Sequence, residues 1–342
     1  MKILLFADLH MCPRASIVNK WGINYPARLE NCVGSVNWLE RKAEELGCDF
    51  IVNLGDFFDK PDLSSETITA SKDIQWSNIT HYSLVGNHDA STSSLIFNAA
   101  NSFIADNHHI ITEPRVLSTE NCDILFLPYI VECDRKPIDQ YFTNSVTSKS
   151  KIILSHNDIS GIQLGPIMSK TGFTVDEIES SCDMFINGHL HNGQAITHKI
   201  INLGNLTGKD FGEDSFKYSH NIAILDTDTL QLTFIENPYA YNFYKIQIEN
   251  EDDISILDTL KQQAIVSIKC NVDLIDIVKH KVNELSSKII ESRIIIVKKH
   301  DTTLENSDID LTVDHLARFV ECCKTNIEYS SILEEEISEV CK

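Results

Sequence analysis

The chain has 342 residues, enough for one large domain plus a smaller one. Its 42% hydrophobic and 23% charged content is that of an ordinary globular protein, and no apolar run approaches the length of a membrane span. Its 29 basic and 50 acidic residues give a net charge of −21, which argues against a generic nucleic-acid coat but not against a nuclease whose carboxylates hold metals.

The first strand is predicted over residues 2–8 and ends in Asp8-Leu9-His10, too soon for the apolar run from Ile3 to Ala7 to be a signal peptide. The ten cysteines show no C-x-x-C pair and read as reduced thiols, so a cytoplasmic protein is expected. A loop from Met11 to Ala27 precedes a helix from Leu29 to Leu46, with Val33, Val36, Trp38, Leu39 and Ala43 at helical spacing and Gly47 as the stop. A strand over Phe50–Leu54 ends in Gly55-Asp56. A polar helix follows over Ser64–Ser77, and the strand Tyr82–Val85 breaks at Gly86 into Asn87-His88-Asp89. Alternation of strand and helix predicts parallel pairing through right-handed crossovers.

A helix near Leu95–Ala105 is followed by strands over Ile124–Leu127, Ile152–Ser155 (ending in His156) and Met184–Asn187 (delivering Gly188-His189-Leu190-His191). Short strands at Ile196–His198, Ile200–Leu203, Ile222–Leu225 and Leu232–Ile235 suggest a second, more antiparallel sheet packed on the first. From 241 a new module is expected, with strands over Tyr244–Ile248, Ala264–Lys269 and Arg293–Val297 and a helix carrying Ile275, Ile277, Val278, Val282 and Leu285. Beyond an acidic loop, Val313, Leu316, Val320 and Cys323 mark one helical face, and Leu333, Ile337 and Val340 another. The division is therefore 1–240, a small α+β domain over 241–302, and an acidic loop with C-terminal helices over 303–342.

Polar residues at successive strand ends converge at the carboxyl edge of a sheet, where open α/β proteins bind ligands. Asp8, His10, Asp56, Asn87, His156, His189 and His191 are seven oxygen and nitrogen donors without a thiolate, a set suited to Mn²⁺, Fe²⁺ or Zn²⁺. Seven are too many for one ion with an open position and suit two ions sharing a carboxylate. The remaining histidines, among them His81, His108 and His220, read as structural or surface residues.

These motifs, in this order, resemble the calcineurin-like metallophosphoesterases over about residues 1–240. The resemblance implies a two-sheet αββα sandwich. It also implies that Asp8, His10 and His191 hold one divalent ion and Asn87, His156 and His189 the other, with Asp56 bridging. His88 would contact the phosphate and protonate the leaving oxygen, oriented by Asp89. Mn²⁺ is the expected metal, with Mg²⁺, Fe²⁺ or Zn²⁺ as alternatives.

Within that family, Gly55-Asp56-Phe57-Phe58-Asp59, the early Asp8-x-His10 and the small C-terminal domain resemble SbcD-type nuclease subunits, including those of T-even-like phages. That resemblance implies a DNA exo- or endonuclease in recombination and repair, in a bacterial or phage-infected host cytoplasm. The small domain would cap the site, the partner would be an SbcC-type coiled-coil ATPase docked on 303–342, and the subunit would form a homodimer. Gly204-Asn205-Leu206-Thr207-Gly208 departs from the Gly-Ser/Thr-Pro usual after the last metal histidines. Lys279, Lys281, Lys288, Arg293, Lys298 and Lys299 form a basic stretch expected to face DNA. The alternative is a stand-alone metallophosphatase or phosphodiesterase acting on nucleotides or phosphoproteins.

Overall fold

The computed structural model describes residues 1–92, 94–103, 107–142, 149–164 and 167–297; Lys298, Lys299 and the segment 303–342 lie outside them. Three sheets carry the fold. The first takes β1 (Lys2–Phe6), β2 (Phe50–Asn53), β3 (Thr80–Leu84) and β4 (His108–Ile111), each parallel to its neighbour. Strands β5 (Arg115–Ser118), β6 (Cys122–Leu127), β7 (Ser150–Ser155), β8 (Met184–Asn187), β9 (Gln194–Ala195) and β10 (Ile200–Asn202) build the second, in the order β9-β10-β8-β7-β6-β5.

Two expectations change here. The centre of the second sheet, β6-β7-β8-β10, is parallel, and only its edges are antiparallel. Strands β11 (Asn221–Asp226) and β12 (Gln231–Glu236) belong to the first sheet, where β11 runs antiparallel to β1 with Leu5 opposite Ala223. Their apolar alternation says that one face is buried but not against which sheet.

Side-chain alternation explains why the sheets stack. Ile3, Leu5, Val52, Leu54 and Leu84 point from the first sheet into a core shared with Ile124, Phe126, Ile152, Leu154 and Ile186 of the second. The opposite face of the first sheet, through Leu4, Phe6 and Ile51, packs on α1 (Ala27–Leu46). That helix buries Leu29, Cys32, Val36, Leu39 and Ala43 at helical spacing, about 1.5–3 kcal/mol for each large aliphatic side chain. Gly47 stops it at φ 64, a left-handed conformation that glycine adopts without strain. Helix α2 (Ser65–Lys72) is shorter than expected: Ser64 caps it by accepting the Thr67 N–H, and it ends at Asp73. The outer face of the second sheet, with Leu125, Ile153 and Phe185, is covered by Ile178 of α3 (Val175–Ser181). The result is the expected layering of helix, sheet, sheet and helix.

Two predicted elements are replaced. Within the expected helix near 95–105, only a 3₁₀ turn over Ala99–Ser102 forms among the described residues. The Asn98 side chain accepts the Asn101 N–H and donates to the Leu95 carbonyl, offering the backbone a turn instead of a helix. The strand expected at Ile196–His198 is a reversal between β9 and β10, with Ile196 N–H bonded to the Ile200 carbonyl.

The third sheet, β13 (Asn242–Ile248), β14 (Ala264–Asn271) and β15 (Ile289–Val297), is entirely parallel. Its crossovers are a 3₁₀ segment over Glu251–Thr259 and α4 (Ile275–Glu284), and Ile246, Val266, Ile268, Leu257 and Val278 fill its core. Phe243 and Ile265 of this sheet pack on Ala15 and Val18 from the long loop after His10. Among the described residues, no helix is long and apolar enough to cross a membrane. The seven described cysteines form no disulfide.

Candidate metal centre

Strands β1, β2 and β3 of the first sheet and β7 and β8 of the second all run their carboxyl ends to one edge of the sandwich. Asp8 and His10 follow β1, Asp56 follows β2, Asn87 follows β3, His156 follows β7, and His189 and His191 follow β8. The backbone there is tightly bent. Of the seven non-glycine residues at positive φ among the described residues, four are in this set: Asp8 (50°), His10 (45°), Asp56 (51°) and His189 (73°). Such conformations are held only where surrounding contacts over-determine them, and they cluster at functional sites. Two glycines permit the crowding. A Cβ at Gly86 would fall on the Asp56 carboxylate, and one at Gly55 (φ 109) on the His156 ring.

The donor atoms gather into groups. Asp8, His10 and His191 form one and Asp56, His156 and His189 another, each with its ligand atoms within 4.8 Å of one another; His10, Asp56 and His88 form a third. Asn87 joins the second group, its Oδ1 lying 3.0 Å from Nδ1 of His189 and 3.3 Å from Nε2 of His156. Asp56 lies between the first two: its Oδ2 is 3.2 Å from Nε2 of His156 and 3.7 Å from Nε2 of His10.

Three of the four imidazoles are hydrogen-bonded at their outer nitrogen, and the outer nitrogen of His10 faces a carboxylate. His156 Nδ1 donates to the Leu54 carbonyl at 2.7 Å, and His189 Nε2 lies 3.0 Å from Asp158 Oδ1. His191 Nδ1 lies 3.3 Å from Glu213 Oε1, and His10 Nδ1 3.4 Å from Asp59 Oδ1. With the proton on the outer nitrogen, the inner lone pairs of His10, His189 and His191 point at an oxygen or at one another; the Nε2 atoms of His10 and His191 are 2.9 Å apart. Converging lone pairs and carboxylates need positive charge between them, and divalent cations supply it. The donor set therefore fits divalent cations.

Charge within the cluster is unevenly placed. Burial opposes the charge on Asp56, but His156, His10 and His88 outweigh it and hold its carboxyl well below the usual carboxylate range. Burial raises Asp8. It lowers His10 to about 4, whereas for His156 the charges of Asp56 and Asp8 overcome burial and push the imidazole up to about 9. Burial and the Asp56 charge push Asp89 up to about 7.

His88 is exposed beside the cluster, its ring 4.8 Å from that of His10. The expected support from Asp89 is not what holds it. The Asp89 carboxylate is fully buried and accepts the backbone N–H groups of Phe58 (2.9 Å) and Gly86 (3.0 Å). His88 Nδ1 instead donates to the Asp59 carbonyl at 3.1 Å, and its backbone N–H donates to Asp56 Oδ1 at 2.9 Å. Among the described residues, the Asp89 carboxylate is bonded to the backbone of its own turn and the His88 ring to the Asp59 carbonyl.

Among the described residues, two cavities lie near the cluster. One, of about 280 Å³, is lined by Met11, Arg14, Lys60 and Leu63 and shares Asp59 with the His10 side. The other, of about 380 Å³, is lined by Ile96, Pro128, Tyr129, Val131 and Tyr141. The Tyr129 ring is 6.1 Å from that of His189.

The basic stretch is dispersed. Lys281 pairs with Asp258 at 2.7 Å, Lys288 Nζ donates to the Asp258 carbonyl at 3.4 Å, and Lys279 is exposed on α4. Arg293 bonds Ser267 Oγ and lies 4.5 Å over the Phe211 ring. Lys281 and Arg293 thus serve contacts within the chain. Sequence reasoning missed the outer anchors Asp158 and Glu213, and it gave Asp59, whose carboxylate also pairs with Lys209, no role. Asp158 and Asp59 stand two and three residues beyond predicted ligands, a spacing that could have flagged them.

The sequence model of the family described as calcineurin-like phosphoesterase matches residues 1–193. No curated protein matches the chain. Solved structures similar to it include the calcineurin-like phosphoesterase YfkN from Bacillus subtilis, at 11% identity and TM-score 0.38, covering 69% of this chain and 88% of that one. A dimetal phosphatase from Danio rerio aligns at 14% identity and TM-score 0.40, covering 69% of this chain and 99% of that one. TT1561 of Thermus thermophilus aligns at 11% identity and TM-score 0.41, covering 69% and 98%.

Proposed function

The chain belongs to the calcineurin-like phosphoesterases, metal-dependent hydrolases of phosphoester bonds, and on that premise we propose that it is a DNA nuclease cleaving phosphodiesters. The observation that carries this reading is a pair of cavities near the donor cluster, one including Asp59 beside His10 and the other walled by Tyr129 near His189. A phosphodiester extends a group from each side of its phosphorus, whereas a monoester extends only one. The cavity beside His10 offers Arg14 and Lys60 to a phosphate chain, and the one beside His189 offers an aromatic wall at Tyr129 to a nucleoside.

Asp8, His10 and His191, with Asp56 between, would hold one divalent ion, and Asn87, His156 and His189 the other. When bound, such ions supply a water activated at neutral pH and offset charge on the phosphoryl oxygens. The outer hydrogen bonds to Leu54, Asp158 and Glu213 would keep His156, His189 and His191 in the tautomer that presents a lone pair to the ions, and Asp59 faces the outer nitrogen of His10. His88, with Nδ1–H donating to the Asp59 carbonyl, would in its doubly protonated form give the Nε2 proton to the departing oxygen and be left neutral. Mn²⁺ is the metal this reading favours, and an SbcC-type ATPase the partner.

One observation favours the alternative of a stand-alone phosphoesterase: Lys281 and Arg293 are engaged within the chain and so are withdrawn from a DNA face. The deciding experiment incubates the protein with Mn²⁺ and linear duplex DNA, single-stranded DNA or a nucleotide monoester, with His88→Ala as control. DNA cleavage lost in His88→Ala is the expected result. Monoester turnover without DNA cleavage would overturn the nuclease reading.

A further inference from the structure

Arg28, in the first turn of α1, is fully buried. Its Nη2 donates to the Leu9 carbonyl at 2.8 Å; Nη1 donates to the Gly208 carbonyl at 2.9 Å, Asn31 Oδ1 at 3.0 Å and Thr207 Oγ1 at 3.3 Å. All four acceptors are neutral. Burial pushes the neighbouring Cys32 thiol up to about 11, so it remains uncharged as well. The buried Glu213 acts on Arg28 through charge rather than a hydrogen bond. A guanidinium taken out of water without a directly paired anion is a poor stabiliser of a fold, so its use has to be sought in what it holds.

Leu9 is the middle residue of Asp8-Leu9-His10, and its two neighbours are the bent donors at φ 50 and 45. The amides of Asp8 and His10 are fixed to the Gly55 and Asp56 carbonyls, and Arg28 fixes the carbonyl between them. The arms to Thr207 and Gly208 grip a second segment. There Asn205 N–H donates to the His191 carbonyl at 3.1 Å and Asn205 Nδ2 donates to Glu213 Oε1 at 2.8 Å, the same oxygen that faces His191. Arg28 therefore spans the segment that supplies Asp8 and His10 and the segment that backs His191. The anchors of the other group, Leu54 behind His156 and Asp158 behind His189, are not among its partners.

The same knot reaches the third sheet. Tyr241, one residue before β13, gives its N–H to Thr207 Oγ1 at 2.9 Å and its hydroxyl to the Ala27 carbonyl at 3.1 Å. Its carbonyl accepts the Gly208 N–H, and its ring lies 6.0 Å from the guanidinium. We propose that Arg28 is a positioning residue for the Asp8–His10–His191 group alone and joins that group to the start of the third sheet. The inference rests on these residues holding a cation and is independent of the substrate.

The test is calorimetric titration of the full chain with Mn²⁺. Wild type is expected to show two classes of site, with His191→Ala weakening one and Asn87→Ala the other. Arg28→Met, which keeps the bulk and removes the charge, is expected to weaken the His191 class about 10- to 100-fold and leave the Asn87 class within about twofold. Arg28→Lys should recover part of the loss. Equal weakening of both classes, or of neither, would overturn the assignment. If Arg28→Met fails to fold, Thr207→Val takes its place, with severalfold weakening confined to the same class expected and an equal effect on both overturning it. Wild type that takes up no Mn²⁺ at all would overturn the metal reading itself, and the Arg28 assignment with it.

Discussion

The Asp89 carboxylate accepts the Gly86 N–H at 3.0 Å, closing the turn between β3 and His88, and its other oxygen holds the Phe58 N–H after Asp56. Asp89 is thus a clamp between the second and third strand ends. Asp89→Ala leaves two buried amides without acceptors, at about 1–3 kcal/mol each, so a loss of about 2–5 kcal/mol is expected in urea unfolding. Asp89→Asn keeps one acceptor and should lose less. A loss below about 0.5 kcal/mol in the alanine variant would remove the clamp from the account.

His88 makes a sharper kinetic prediction. If it protonates the leaving oxygen, His88→Ala should lower kcat on DNA by about 10²–10⁴-fold with Mn²⁺ affinity unchanged. A nitrophenyl phosphodiester, whose leaving group departs without a proton, should be far less sensitive to the change. Equal losses on the two substrates would point to a binding or metal role instead.

The candidate donors were legible because each follows an apolar strand within a few residues, and the fold gathers them at one edge. What holds those donors in place was not. Glu213 reaches His191 across 22 residues and Arg28 reaches Gly208 across 180, contacts that only the packing of the third sheet and the loop before it brings about. The position of β11 beside β1 was hidden for a related reason: an alternating strand declares a buried face but not its partner. Asp89 was misread because adjacency in sequence suggested contact with His88, while the turn directs its carboxylate back to the backbone of Gly86 and Phe58.

The cavity beside His10 allows the substrate class to be tested through charge. Arg14→Glu with Lys60→Glu should raise KM for DNA at least tenfold and reduce the salt slope of binding by about 2 if each cation meets one phosphate. Turnover of the small nitrophenyl diester should change much less, since it carries no neighbouring phosphate. Unaltered DNA affinity and salt slope would take this cavity out of the substrate path.

His108 sets an acid limit to stability away from the metal donors. Its ring stacks on His81 at 4.2 Å and meets Trp76 edge-on at 4.5 Å, and among the described residues neither of its nitrogens has a hydrogen-bond partner. Burial, then the nearby His81 and His109, lower it to about 3 from its ordinary 6.5. Between those values the unfolded chain binds the proton and the folded chain does not. This residue's contribution is therefore complete above about pH 6.5 and drains away as pH falls toward 3, with a slope of at most about 1.4 kcal/mol per pH unit. His108→Phe keeps a ring against Trp76 and removes the titration. Urea unfolding from pH 7 to pH 4.5 should show the variant losing less stability than wild type, the gap widening as the pH drops; parallel curves would mean that His108 is protonated in the folded protein as readily as in the unfolded chain.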